Sequence, residues 1–169
     1  MRSPRGWTLV ELIMVMVIVG ILAAFVGPVL LNAMRAYDRT QATISTYSKM
    51  RYAMERMARE VAAVRRDPAN TTAFHVTAMN AGTFSFFKDD GTQVTLALAG
   101  SDLNLTYAGT GTGRLADGVS TLAFAYYQQD GTTAAANATE LQFVQISMTI
   151  GDGSSNFANR TRVALRSVQ

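Results

Sequence analysis

The sequence predicts an α+β fold, with one long N-terminal helix packed on a C-terminal antiparallel β-sheet. Three observations carry this. Residues 12–31 form a run of 20 with no charge and no strongly polar side chain. Beyond the run, apolar side chains recur every three or four residues until Asp67-Pro68. After Pro68 the texture changes to short β-rich runs divided by Gly, Asp and Asn. A chain of 169 residues fits one domain plus attachments.

The apolar run is long enough to cross a membrane, because a helix rising 1.5 Å per residue spans a hydrocarbon core of about 30 Å in roughly 20 residues. Glu11 stands at its mouth. A carboxylate at the edge of hydrocarbon is costly, so it marks a functional site whose partner must be found. Gly20, Gly27 and Pro28 interrupt the run. Proline lacks a backbone donor and clashes with the preceding turn, so the helix is expected to kink or loosen there. The run exceeds the apolar region of a secretory signal peptide and flows into more helix, which favours a retained anchor. Arg2 and Arg5 precede it, and Arg35 and Arg39 follow it, so charge alone leaves its orientation open.

The amphipathic stem is expected over residues 32–67. Tyr47, Met50, Met54, Met57, Val61 and Val64 fall on one stripe, which Ile44 extends by a turn. Packing against a sheet explains these methionines. Arg51–Glu55, Glu55–Arg59 and Arg56–Glu60 set opposite charges at i, i+4 on the other face. Arg65 and Arg66 suit the negative end of the helix dipole. Asp67-Pro68 then stops the helix, since a residue before proline avoids the helical region. Residues 35–66 carry a net charge of +5 and residues 67–169 a net charge of −3. A basic stem beside a membrane suits anionic headgroups. No recognisable nucleic-acid-binding motif accompanies it, so nucleic acid is not expected as a partner.

The head is expected over residues 68–169, as an antiparallel sheet of about five to seven strands. Strands are read at 74–79, 83–88, 92–98, 103–107, 120–128, 141–150 and 160–168. Asp89-Asp90-Gly91 joins the second and third as a hairpin, with glycine available for positive φ. Residues 108–113 (AGTGTG) and 151–156 (GDGSSN) read as loops.

Little here supports catalysis. With no cysteine, disulfides, thiolate metal sites and cysteine nucleophiles are excluded. His75 is the one histidine, so a multi-histidine metal site is impossible; it reads as a half-exposed strand residue. AGTGTG lacks the lysine of a phosphate loop and opens no helix. Asp89-Asp90-Gly91 and Gly151-Asp152-Gly153 match no EF-hand and are explained by turn chemistry, so neither metal nor cofactor is expected.

The informative segment is Arg5-Gly6-Trp7-Thr8-Leu9-Val10-Glu11 with the apolar run behind it. It resembles the class III leader of type IV pilins and type II secretion pseudopilins. The resemblance implies cleavage by prepilin peptidase between Gly6 and Trp7, so that residues 1–6 are a leader, followed by N-methylation of Trp7. Trp7 departs from the usual phenylalanine but is also large and aromatic. Residues 7–31 would be the transmembrane and assembly helix. Glu11 would be the family's assembly glutamate, and Gly20, Gly27 and Pro28 the loosening segment. Residues 115–119, Phe124-Ala125-Tyr126-Tyr127, Asp130-Gly131 and residues 161–166 resemble J-type minor pseudopilins and minor pilins of mannose-sensitive haemagglutinin-type pili.

The function this implies is that of a minor pilin or pseudopilin. Such a chain is a structural subunit of a type IV pilus or type II secretion pseudopilus and no enzyme. Its partners would be prepilin peptidase, other pilins or pseudopilins in a filament or tip complex, the inner-membrane assembly platform and the bilayer. It would sit in the bacterial inner membrane as a single-pass protein with a periplasmic head, and later in the filament. Leader removal takes Arg2 and Arg5, lowering the net charge from +3 to +1. The alternatives are a major pilin, a single-span periplasmic binding or sensing protein, and a secreted enzyme behind a signal peptide.

Overall fold

The computed structural model describes residues 7–151, 153 and 155–166. Its described elements are one helix, α1 (Leu9–Ala62), and eight strands. These are β1 (Val76–Met79), β2 (Thr83–Phe87), β3 (Gln93–Ala99), β4 (Asp102–Tyr107), β5 (Gly111–Ala116), β6 (Val119–Tyr127), β7 (Phe143–Gly151) and β8 (Asn156–Ala164). The chain divides into two compact units, Met1–Ala42 and Thr43–Gln169.

In the first unit every described side chain is exposed. The first part of α1 is long and apolar enough to cross a membrane, and none of that stretch is buried. A helix that is apolar all round needs an apolar surrounding. α1 stays helical through Gly20, Gly27 and Pro28. The kink expected at Pro28 therefore does not break the helix, although proline leaves its hydrogen-bond ladder one donor short.

In the second unit the strands form two antiparallel sheets where the sequence suggested one. β1-β2-β3-β4-β5 is a meander, and β6-β7-β8 is a separate three-stranded sheet. Asp117 and Gly118 make the passage between them. Gly118 has φ +71°, and a Cβ there would stand 3.2 Å from the Gly151 carbonyl oxygen, so glycine is required. AGTGTG is only partly loop, since Gly111 opens β5 and Thr112 pairs with Thr106. A glycine-containing run can be a strand here because it lies at a sheet edge. The closing strand lies earlier than expected, at Asn156–Ala164. Residues 167–169, where it was expected to end, lie outside the described residues. The Asp89-Asp90-Gly91 hairpin forms as read, with Gly91 at φ +80°.

One cluster of buried side chains joins helix and sheets. α1 contributes Met50, Met54, Met57 and Val61, and Val64 follows it. Phe84, Phe86 and Leu96 come from the larger sheet, and Ile146, Met148 and Ile150 from the smaller one. The Phe84 and Phe124 rings, 5.9 Å apart, cross from one sheet to the other. The stripe is shorter than its periodicity suggests. Ile44 and Tyr47 are each 54% exposed, and Tyr47 meets only the edge of Phe157 at 6.1 Å.

The helix also ends earlier than expected. The N–H of Ala63 bonds the Glu60 carbonyl and that of Val64 the Val61 carbonyl, a tightened last turn. The chain then becomes extended: Arg65 N–H donates to the Phe87 carbonyl, and His75 N–H donates to the Arg65 carbonyl. Val64 and Arg66 thus form isolated bridges to Lys88 and Phe74 with Arg65 between them, and the two arginines do not close the helix.

Glu60 corrects a further expectation, because it is buried (4% exposed) and not on a solvated face. Its Oε1 accepts from the Tyr107 hydroxyl at 2.8 Å and lies 2.8 Å from Arg56 Nη2. Arg56 also donates to the Tyr107 oxygen at 2.7 Å, and Lys88 Nζ stands 3.3 Å from Glu60 Oε2. Burial, reinforced by Glu60, pushes the Tyr107 phenol above its ordinary pKa, so it stays a donor. A buried carboxylate is tolerated only when paired in this way. Tyr107→Phe removes the hydroxyl between α1 and β4, and is expected to cost about 1–3 kcal/mol. Urea denaturation of the full chain in mild detergent should show a lower midpoint with an unchanged slope. An unchanged midpoint would mean the cluster does not tie helix to sheet.

Candidate functional site

The N-terminal signal resolves into a helix cap. Trp7 and Thr8 lie outside the helix, and α1 begins at Leu9. The Glu11 N–H donates to Thr8 Oγ1 at 3.3 Å, and the Leu12 N–H donates to the Thr8 carbonyl at 3.2 Å. Thr8 is therefore the N-cap, and Glu11 is the third helical residue. Thr-x-x-Glu is the spacing of a capping box. The sequence held that signal, and the reading of Glu11 as a membrane anomaly missed it. A carboxylate in the first turn also faces the positive end of the helix dipole. Glu11 thus has a local reason for its place, whatever it meets in an assembly.

The other expected positions divide as follows. Trp7 is 72% exposed, with its backbone outside the helix. Gly6 lies outside the described residues. Trp7 and Glu11 are brought to one helix end, whereas Gly20, Gly27 and Pro28 lie further along α1. A Cβ at Gly20 or Gly27 would meet open space among the described residues, so the chain's own packing does not require glycine at either.

The remaining candidates are held by turns and stacking. His75 stacks on Phe87 at 4.2 Å, and its Nδ1 lies 3.3 Å from Arg65 Nε. Asp90 Oδ1 accepts from the Thr92 N–H, and this bonding lowers the Asp90 pKa. Asp130 accepts from the Thr133 hydroxyl and from the Thr132 and Thr133 N–H groups, which holds its carboxyl below the usual carboxylate range. These are turn contacts that order the backbone. Asp152 lies outside the described residues. Among the described residues no three His, Cys, Asp or Glu side chains converge to hold a metal.

A family model for the prokaryotic N-terminal methylation motif matches residues 1–27. That match spans the cap, Trp7, Glu11 and the apolar turns behind them. The N-terminus therefore carries the prokaryotic N-terminal methylation motif, a likeness to the leaders of type IV pilins and pseudopilins. No curated protein matches this chain. The long apolar helix followed by antiparallel sheets is a pilin-like α+β architecture. The match covers residues 1–27 and leaves the rest of the chain unmatched by it.

Thr8→Val keeps the shape of the cap residue and removes its oxygen. It is expected to weaken the first turn by about 1 kcal/mol, whereas Thr8→Ser should preserve it. Amide exchange at Glu11 and Leu12 in micelles checks this. Faster exchange in Thr8→Val alone supports the cap, and equal exchange in both variants contradicts it.

Proposed function

We propose that this chain is a minor pilin or pseudopilin. In this reading prepilin peptidase cuts between Gly6 and Trp7, the Trp7 amine is methylated, and the subunit then enters a filament or tip complex through α1. The supporting observation is the capped helix start. Trp7 stands just before the cap, and Glu11 sits in the first turn behind it. Cleavage would place a new cation and an existing anion at the same helix end.

Glu11 explains itself chemically on this reading. Before assembly its carboxylate lies at the membrane interface, in the helix's first turn, where the dipole favours negative charge. In the filament it pairs with the N-terminal amine of a neighbouring subunit. A buried pair specifies register more than it adds stability, because desolvation offsets much of the attraction. The apolar turns of α1 exchange lipid for neighbouring helices, and association of such helices rests on close packing. Gly20, Gly27 and Pro28 supply the segment that loosens during extraction from the membrane.

Three further assignments belong to the proposal. The chain is a single-pass inner-membrane protein with a periplasmic head. It works as a structural component without catalysis, meeting the assembly platform and other subunits. It is a minor subunit, because a cysteine-free chain cannot close a C-terminal loop by a disulfide as major pilins often do. The loop between β6 and β7 is instead held by Glu140, which accepts from Gln128, Ala136 and Asn137.

Two variants test the core of this. Gly6→Leu should leave a precursor heavier by its six-residue leader, because the peptidase must fit the backbone at the scissile bond. Glu11→Val should be processed normally and start at Trp7, yet fail to join sheared filaments or detergent-solubilised complexes. Losing one side of a buried pair costs roughly 3–5 kcal/mol. N-terminal sequencing and co-purification read both variants. A Gly6→Leu chain of mature length would contradict the cleavage site, and unchanged recovery of Glu11→Val would contradict the pairing role.

A further inference from the structure

The two sheets have four edges, β1, β5, β6 and β8. Three are broken or covered. The β1–β2 register shifts between Val76 and Ala78, and the β4–β5 register between Leu103 and Asn104. The β6–β7 register shifts between Val119 and Thr121. β6 is also capped on its outer side, where the Ala135 N–H bonds the Tyr126 carbonyl and the Phe124 N–H bonds the Ala81 carbonyl. Bulges and covers of this kind keep an edge from recruiting another strand. β8 has neither. It pairs with β7 in unbroken register from Phe143↔Ala164 to Gly151↔Asn156.

The hydrogen-bond phase of β8 follows from two bonds. The Leu165 N–H donates to the Gln142 carbonyl at 2.9 Å, adding one hydrogen-bonded pair to the end of the β7–β8 ladder. Such pairs alternate in an antiparallel ladder, so Val163, Thr161, Asn159 and Phe157 bond β7. The Ala135–Tyr126 bond gives the same phase from the far side. Tyr126 turns away from β7, so its opposite number Val144 turns towards β8 and Val163. The N–H and C=O groups of Ala158, Arg160, Arg162 and Ala164 therefore point off the sheet. Among the described residues no backbone hydrogen bond reaches them.

The side chains along this edge say what fits. Arg162 is engaged, donating to the Gly131 carbonyl at 2.8 Å with its guanidinium over the Tyr127 ring. Arg160 is exposed and has no ionic partner among the described residues. A groove of about 240 Å³ is lined by Arg51, Met54, Glu55 and Ala58 of α1 and by Asn159, Arg160 and Thr161 of β8. An added strand alternates its side chains between the two faces of the sheet. On one face it would set a side chain against Arg160, and on the other it would reach the groove. A second copy of β8 is disfavoured, because two-fold pairing across Arg160 and Arg162 sets arginine against arginine.

We propose that the free edge of β8 is a β-augmentation site for an extended segment of a different protein, one that places a carboxylate opposite Arg160. Main-chain bonds to Ala158, Arg160 and Arg162 supply the attachment, and the ion pair supplies the selection. The site lies wholly in the second unit and does not depend on how the leader is processed.

The test uses the full chain in micelles and two probes. One is a nine-residue Thr/Val peptide with a central Glu, and the other is the same peptide with Lys in its place. The Glu peptide should slow amide exchange at Ala158, Arg160 and Arg162 and bind about fivefold more tightly than the Lys peptide. Arg160→Glu should reverse that preference, while unchanged exchange at Asn159 and Thr161 shows that the β7–β8 ladder is intact. Equal binding of both peptides, or no added protection at those three amides, would overturn the proposal. Protection in the peptide-free chain that rises with its own concentration would also overturn it, since a second copy would then occupy the edge.

Discussion

A single helix has to satisfy two unlike surroundings, and the composition of α1 changes to meet each. From residue 12 to residue 31 its side chains are apolar in every direction, and none of the described ones is buried within the chain. From Thr46 onward burial narrows to one stripe, carried by Met50, Met54, Met57 and Val61. The first pattern suits lipid or other helices, where packing proceeds without water to drive it. The second suits a sheet in water, with charged residues on the free side. Neither stretch works in the other's place: an all-apolar helix exposed to water aggregates, and a one-sided stripe in lipid strands its charges.

The stripe alone would fix depth more firmly than rotation or register, because methionine is adaptable and fills gaps of many shapes. The Glu60 cluster supplies the missing definition. A buried carboxylate has few acceptable positions, and here it must meet Arg56, Tyr107 and Lys88 at once. Displacing α1 by one turn would leave that charge unpaired in the core, which costs several kcal/mol. Polar pairing at this point selects one packing of the stem among several that the methionines would tolerate. The exposed Lys49–Asp117 pair, at 2.8 Å, adds a second and weaker tie to the passage between the sheets.

Much of this was legible in the residues. Helix, stripe, hairpin and most strands followed from periodicity and turn chemistry, because those signals are local. Glu11 stood out before its long apolar run because a charge beside hydrocarbon is rare, although Thr8 as its cap was overlooked. What stayed hidden depended on contacts distant in sequence. Glu60 looked solvated from its i, i+4 pairing, since nothing local shows that Tyr107 and Lys88 will enclose it. Gly111 looked like loop because its strand is held by the register of β4. The chain passes between the two sheets at Gly118, where a positive φ and the approach of the distant Gly151 carbonyl together call for glycine.

The two surroundings of α1 can be read directly by spin labels. The chain has no cysteine, so single cysteines placed one at a time from residue 12 to residue 62 each report one position. In lipid vesicles, collision with oxygen reports contact with hydrocarbon, and collision with a water-soluble nickel complex reports contact with solvent. The account predicts uniformly high oxygen access from 12 to 31 on every side of the helix. From 46 to 62 it predicts an alternation of about 3.6 residues, with minima at Met50, Met54, Met57 and Val61. A 3.6-residue alternation within 12–31, or its absence within 46–62, would contradict the division of the helix on which the account rests.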